Sequence, residues 1–361
     1  MNKMNSRYAQ ITLSMEYAED AVKLPSTRYQ GSKAKLVRWI WDNIKDFEFE
    51  SVLDAFGGTG VVAYYLKRKG KEVHYNDYLK FNYYIGLALI ENNNVTLPEE
   101  KAKSLMRKNH HVAYKTFIYD TFKDIYYTDE ENLWLDIVVQ NIEKLTNIYE
   151  KAIAYYALFQ AALVKRPFNL FHRKNLYLRL ADVDRSFGNK ATWDTPFEVH
   201  FMNFVKEANS LIFDNEKKNR AYNLDVFQLQ EDFDLVYLDP PYTSKKGITV
   251  DYLEFYHFLE GVVHYENWCN MIDYKTKHKR LKRKYNAWND PKRIKNIFKD
   301  VIHKFESSIL CISYRSDGIP SINEIKKWVG EVKQNVKVAY FKNYKYVLSR
   351  NNTHEALIIG W

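Results

Sequence analysis

Apolar positions along the chain follow two patterns, short unbroken runs and stripes at helical spacing. Ser51-Val52-Leu53-Asp54-Ala55-Phe56, Val73-His74-Tyr75, Leu235-Val236-Tyr237-Leu238 and Ser308-Ile309-Leu310-Cys311-Ile312-Ser313-Tyr314 are apolar runs bounded by polar or glycine residues, and they predict buried strands. Residues 34–44 place Leu36, Val37, Ile40 and Trp41 on one helical face. Helices are also predicted over 61–69, where Gly70 stops the pattern, over 81–92 and over 252–265. A strand pair is expected at 336–341 and 355–359, joined through 345–353. This alternation of strands and helices predicts an α/β fold with a parallel sheet. Between 95 and 220 the alternation stops; that segment is mainly helical by periodicity, most clearly over 133–159.

Two loops at strand ends carry chemistry. After the run at 51–56 come Gly57-Gly58-Thr59-Gly60, a helix, a strand and Asn76-Asp77, the layout of a nucleotide-type site at the carboxyl edge of a parallel sheet. Glycines permit a tight turn and close backbone approach. The turn is neither Gly-x-Gly-x-x-Gly nor a phosphate-binding P-loop, because the third glycine and the Lys-Ser/Thr are missing. Asp54 before the turn would repel a pyrophosphate but accept from an ammonium, and Asp77 is placed to accept from two ribose hydroxyls. An amino-acid-bearing cofactor such as S-adenosyl-L-methionine therefore fits better than NAD or ATP.

The second loop is Asp239-Pro240-Pro241-Tyr242, after the run at 235–238. A residue before proline is pushed out of the helical region, so Asp239 should be extended with its carboxylate beyond the strand end. Pro240 contributes a carbonyl at a nearly fixed φ, and Tyr242 a ring able to stack on a planar ligand. Two acceptors and an aromatic face suit a flat substrate with an exocyclic amino group; an ordinary turn with a surface tyrosine is the plainer account. Two weaker signals accompany the loops. Tyr29-Gln30-Gly31-Ser32-Lys33 is a basic loop before a helix, a place for an anion or carboxylate. Asp225 could accept from an adenine amino group or simply cap a helix.

Composition narrows the class. No stretch approaches the ~18 uninterrupted apolar residues of a membrane span, and residues 1–20 lack an apolar signal core, so a cytoplasmic protein is expected. Cys269 and Cys311 have no metal-ligand spacing, and no metal is expected. The chain carries a net charge of +9 and 29 tyrosines, which suits phosphate neutralisation and base stacking, although a generally basic soluble protein would look similar. Residues 164–179 contain no acid and mix Arg, Asn, His and aromatic side chains; those residue types read base edges and hold phosphates. Residues 275–304 hold twelve Lys and Arg against Asp290 and Asp300. Arg166, Asn169, His172, Arg173, Asn175 and Arg179, with Lys282 and Arg283, are the candidate DNA contacts; solvated basic surface is the alternative.

With the loop at 27–33, Asp54 to Gly60, Asn76-Asp77, Leu224-Asp225 and Asp239 to Tyr242 in that order, the chain resembles the Dam-like adenine DNA methyltransferases. The resemblance implies a Rossmann-like methyltransferase fold, a seven-stranded sheet with a mainly helical DNA-recognition insertion. It divides the chain into an arm (1–25), a catalytic domain (26–94 and 221–361) and a recognition insertion (95–220). It implies that Tyr29, Gln30, Gly31 and Lys33 hold the methionine end of the cofactor, that Phe56, Gly57 and Gly60 approach it, and that Asp54 lies near its amino group. Asp77 would take its ribose, and Asp225 and Val226 its adenine. A flipped adenine would then give its amino hydrogens to Asp239 and the Pro240 carbonyl, stacked on Tyr242. Duplex DNA is the implied substrate and a cognate restriction endonuclease a possible partner. The rival readings are an RNA adenine or cytosine-amino methyltransferase, a non-catalytic DNA-binding protein on the same scaffold, and, third, a dinucleotide oxidoreductase.

Overall fold

The apolar runs assemble into one sheet. In chain order the strands are β1 (Ser51–Asp54), β2 (Glu72–Asn76), β3 (Arg220–Tyr222), β4 (Leu235–Leu238), β5 (Thr243–Ser244), β6 (Ile309–Arg315), β7 (Gly318–Ile319), β8 (Val336–Phe341) and β9 (Glu355–Gly360). The computed structural model describes residues 23–26, 28–183, 190–244, 251–341 and 354–361. The arm up to residue 22, Thr27 and the whole connection expected at 345–353 lie outside the described residues.

Seven strands form the sheet, in the order β3-β2-β1-β4-β6-β9-β8. The first five are mutually parallel; β9 runs antiparallel to β6 and to β8. The expected α/β architecture with a seven-stranded sheet is therefore present. Its order has one consequence for function. From β1 the chain moves outward through β2 and β3, then returns to place β4 on the other side of β1. The crevice at such a switch point, beyond the carboxyl ends of the strands, is where open α/β sheets bind ligands. Asp54 and Tyr237 are register partners there, and Asp239 follows directly after β4. β5 pairs with β7 just beyond the Pro-Pro loop.

Local chemistry sets the helix ends. The stretch expected to be helical over 133–159 is two helices, Asp129–Glu143 and Ile148–Val164. Thr128 and Glu131 form a capping box on the first. The Asn147 side chain accepts from the N–H groups of Tyr149 and Glu150, which starts the second helix and breaks the continuity. One sheet face shares a core with these helices: Val52, Val73, Tyr75 and Tyr237 are in one buried cluster with Tyr126, Tyr127, Tyr156 and Phe159. The other face, with Leu53, Val236 and Leu310, packs on the helices Ile294–Lys304 and Ile322–Val332. Among the described residues no helix is long and apolar enough to cross a membrane.

Tyr75 joins the glycine turn to this core. A Cβ added at Gly57 would lie 2.0 Å from its ring, and one at Gly86 2.4 Å. Its hydroxyl is 2.8 Å from the Gly58 carbonyl. Here the glycines are needed for close approach to a protein ring. Gly86→Ala is expected to destabilise the fold by ~1–3 kcal/mol through overpacking, seen as a lowered midpoint in thermal denaturation.

Candidate active site

The crevice at the switch point is a cavity of about 400 Å³. Its wall includes Tyr29, Gln30, Gly31 and Lys33 from the first loop, Asp54 to Thr59 from the glycine turn, and Asp77, Asp225 and Val226. Asp239 and Pro241 complete the side beyond β4. Of the catalytic and cofactor candidates singled out in the sequence, Gly60, Pro240 and Tyr242 are not on that wall. Gly60 instead takes a left-handed conformation, φ +70°, at the start of the helix Val61–Arg68.

Several wall groups have unspent hydrogen-bonding capacity. Asp54 is 1% exposed, and its Oδ1 has no hydrogen-bond partner. Gln30 Oε1, the Tyr237 hydroxyl and Asn289 Oδ1 are likewise buried without a partner. Orphaned buried polar atoms are rare in native proteins, so four on one cavity wall mark a place where a polar ligand completes the bonding. Burial, and secondarily the nearby Asp239 charge, pushes the Asp54 carboxyl up to about 8. Asp77 is more occupied: its two oxygens accept from the N–H groups of Leu79 at 2.8 Å and Gly58 at 2.9 Å. Burial raises it to about 6, opposed by those same bonds. Each of its oxygens retains a lone pair for a further donor. The Asp225 side chain accepts from the Phe227 N–H and caps the short helix Val226–Gln228, as the capping reading expected, and the residue also lines the cavity.

The side of the cavity at Asp239 is built on a buried charge cluster. Lys33 is 3% exposed, and its ammonium lies 2.8 and 2.7 Å from the two Asp239 oxygens. It donates to the Tyr242 hydroxyl at 2.5 Å and is 3.6 Å from Glu355 Oε1. Burial alone would lower the Lys33 pKa; Asp239 and Glu355 together hold it raised. The Tyr242 hydroxyl in turn lies 2.6 Å from Asp239 Oδ1 and 3.2 Å from Glu355 Oε1. This corrects two expectations. Lys33 lines the cavity, but its ammonium is engaged with Asp239 and its neighbours. Tyr242 does not offer a free ring: it is 5% exposed and packed edge-on against Tyr314, because its hydroxyl is drawn into the cluster. Aromatic faces on the wall come from other places. Tyr29 is stacked between Tyr256 at 4.4 Å and Tyr252 at 5.2 Å, and Phe56 meets Trp288 edge-on.

Sequence reasoning missed Tyr252, Trp288 and Glu355. A signal for Glu355 was available, since it is the single acid in the otherwise apolar run 355–359. Residues 284–289, inside the basic stretch expected on a phosphate backbone or a solvated face, form part of the cavity wall.

Residues 29–310 match the family of D12 class N6 adenine-specific DNA methyltransferases. The chain belongs to that family. It is 31% identical over 246 residues to the Type II methyltransferase M2.HphI of Haemophilus parahaemolyticus, covering 66% of this chain and 71% of the relative. It is 27% identical over 329 residues to the Modification methylase StsI of Streptococcus sanguinis, covering 82% of this chain and 45% of that protein. With the Type II methyltransferase M.NlaIII of Neisseria lactamica it shares 23% identity over 348 residues, 91% of this chain and 95% of the relative.

In an adenine-specific DNA methyltransferase the candidate DNA contacts must reach the surface, and three of the eight do not. Arg166 is 1% exposed, its guanidinium 4.3 Å from the Tyr126 ring centroid and donating to the Leu170 and Arg173 carbonyls and to Asn175 Oδ1. Asn175 is buried as its acceptor. Arg179 forms a two-point pair with Glu131 at 2.8 and 2.7 Å. The acid-free segment drew its partners from backbone carbonyls and from a helix far away in sequence. Asn169 and His172 are half-buried, and burial lowers the His172 pKa. Arg173, Lys282 and Arg283 are exposed; Lys282 donates to the Asn270 carbonyl and Arg283 pairs with Glu254.

Two outcomes follow. Arg179→Ala leaves Glu131 short of its main partner and should cost ~3 kcal/mol, whereas Arg173→Ala should leave the melting temperature unchanged; calorimetry on both variants checks this. Asp54 titrates near pH 4 when unfolded and at about 8 when folded. The folded state therefore holds an extra proton between those values, and stability falls as pH rises across them. Asp54→Asn should match the parent near ~pH 4 and melt higher than it near ~pH 8, as read by thermal scans across that range.

Proposed function

We propose that this methyltransferase moves the methyl group of S-adenosylmethionine onto the exocyclic N6 of an adenine flipped out of duplex DNA, and that it is the modification half of a type II restriction–modification pair. The observation that carries the site assignment is the Asp239 carboxylate, held on the wall of a 400 Å³ cavity by Lys33 and Tyr242. An endonuclease partner is suggested by the names of the relatives, two of them type II methyltransferases and one a modification methylase.

The cavity fits the proposed cofactor. Asp54 Oδ1, buried and without a partner, matches an ammonium. Gln30 Oε1 offers a further acceptor on the same wall, and Asp77 retains capacity for hydroxyl donors. Val226 and Phe227, with Asp225, form an apolar and acceptor-bearing wall suited to an adenine ring. When bound, the cofactor supplies an electrophilic methyl group on a sulfonium.

The chain supplies positioning and polarisation. The amino group of adenine is a poor nucleophile because its lone pair is delocalised into the ring. Acceptance of an N–H bond by Asp239 on the wall localises that lone pair toward the methyl group. The carbonyl of the buried Pro240, the next residue, is assigned as the second acceptor although its residue does not line the cavity. Fixed geometry provides most of the rate. Lys33 keeps the carboxylate aimed: both Asp239 oxygens face one buried ammonium. Stacking of the flipped base is assigned to the wall aromatics Tyr252 and Trp288, worth ~1–3 kcal/mol. DNA outside the cavity is assigned to the helical segment 95–220 and to exposed cations such as Arg173, Lys282 and Arg283.

Asp239→Ala should abolish methyl incorporation into duplex DNA while calorimetry still detects S-adenosylmethionine binding; retained turnover would sink the assignment of Asp239. Tyr242→Phe should lower turnover by at least ~10-fold, because it deletes the hydroxyl that links Lys33, Asp239 and Glu355, a loss of ~1–3 kcal/mol for buried polar partners. Single-molecule sequencing of DNA from cells expressing the chain reads the modified adenine and its flanking bases. Methylation of structured RNA but not duplex DNA would overturn the reading.

A further inference from the structure

A second carboxylate is buried directly behind the first. Glu355 opens β9 and lies beyond the residues that match the family. It is fully buried, on a strand whose other residues are all buried and apolar or glycine. Its Oε1 accepts from Ser313 Oγ at 2.5 Å and lies 3.2 Å from the Tyr242 hydroxyl. That hydroxyl has a single proton and two carboxylate acceptors, Asp239 Oδ1 at 2.6 Å and Glu355 Oε1. Among the described residues Lys33 is the cation of the cluster, within 4 Å of both acids. A second buried carboxylate beside the Lys33–Asp239 pair is an expensive way to hold a loop, since a glutamine could satisfy Ser313 and Tyr242 without the second charge. An acid with spare proton affinity, joined by one hydroxyl to the substrate-facing carboxylate, has a chemical use.

We propose that Glu355 is the final acceptor of the proton released in methyl transfer, reached from Asp239 through the Tyr242 hydroxyl. The proposal rests on the reading of Asp239 above. The N6–CH3 bond forms as the S–CH3 bond breaks, and that bond's electron pair stays on sulfur. N6 then carries one proton too many, which passes to the Asp239 carboxylate. Asp239 gives a proton to the Tyr242 oxygen while the original Tyr242 hydroxyl proton moves to Glu355 Oε1. Asp239 is ionised again, Tyr242 is unchanged, and Lys33 faces one carboxylate charge where it faced two. Among the described residues, the groups facing Glu355 are Lys33, Asp239, Tyr242, Tyr237, Tyr252 and Ser313. Burial raises the affinity of Glu355 for a proton and Asp239 adds to it; Lys33 and the Ser313 hydrogen bond oppose.

The test is single-turnover methylation of duplex DNA with S-adenosylmethionine, followed against pH in water and in heavy water. The parent enzyme should show a rate that rises with pH as Glu355 ionises, with a solvent isotope effect. Glu355→Gln should lose that rise and the isotope effect and fall at least ~10-fold at its plateau, with DNA and cofactor binding intact by calorimetry. Ser313→Ala keeps the carboxylate but removes a bond that favours its ionised form, so the rise should move to higher pH. Glu355→Gln with the parental pH profile would overturn the proposal, as would Ser313→Ala with an unmoved profile; the second variant decides alone should the first fail to fold. Asp239→Asn is the control: activity there would bring down the role of Asp239 itself rather than the relay alone.

Discussion

The buried ammonium of Lys33 holds the site together. Lys33 comes from the first loop, Asp239 and Tyr242 from the end of β4, and Glu355 from the last strand, three segments that meet only in the folded chain. An ammonium can be removed from water only if its lost hydration is replaced by charge and hydrogen bonds, and so can a carboxylate. Neither side of this cluster is affordable without the other. The first loop therefore closes over the strand ends in one position, which also sets Tyr29 into its stack between Tyr252 and Tyr256.

The topology explains why the cluster sits where chemistry is possible. β1 and β4 are neighbours although the long helical segment separates them in sequence, and their carboxyl ends open the crevice. One end of it is tied to the core by Tyr75, packed against Gly57 and Gly86 and bonded to the Gly58 carbonyl. The antiparallel return of β9 along β6 then delivers Glu355 beside Ser313, behind the substrate side of the cavity. Asp54 and Asp239 thus line one cavity under different constraints. Asp54 is left with an unpaired oxygen, ready for a cation, whereas Asp239 is already held by one.

Much of this was legible in the order of residues. Strand ends and the glycine turn are local features, so Asp54, Asp77 and Asp239 could be placed at one sheet edge from periodicity and turn chemistry alone. The basic segment around 166–179 shows the limit. No residue within 164–179 is acidic, so Arg166 and Arg179 read as surface cations. Their partners are the carbonyls of a folded loop and Glu131, which the helix Asp129–Glu143 brings from a distance. The break at Asn147 was hidden for a different reason, since a side-chain cap competes with helix continuation without disturbing the apolar period.

By itself, then, the sequence determined the strands, the glycine turn, the acid-bearing loop and the family to which they belong, because each depends on backbone preferences and contacts a few residues long. Tertiary structure alone decided which polar groups are spent on one another. It withdrew Tyr242 from the cavity wall, gave Lys33 to Asp239, buried two arginines meant for DNA and brought Glu355 to the site. Burial and long-range pairing are properties of the assembled chain: a charged side chain goes inside only where distant segments supply its partner, and no local pattern records that.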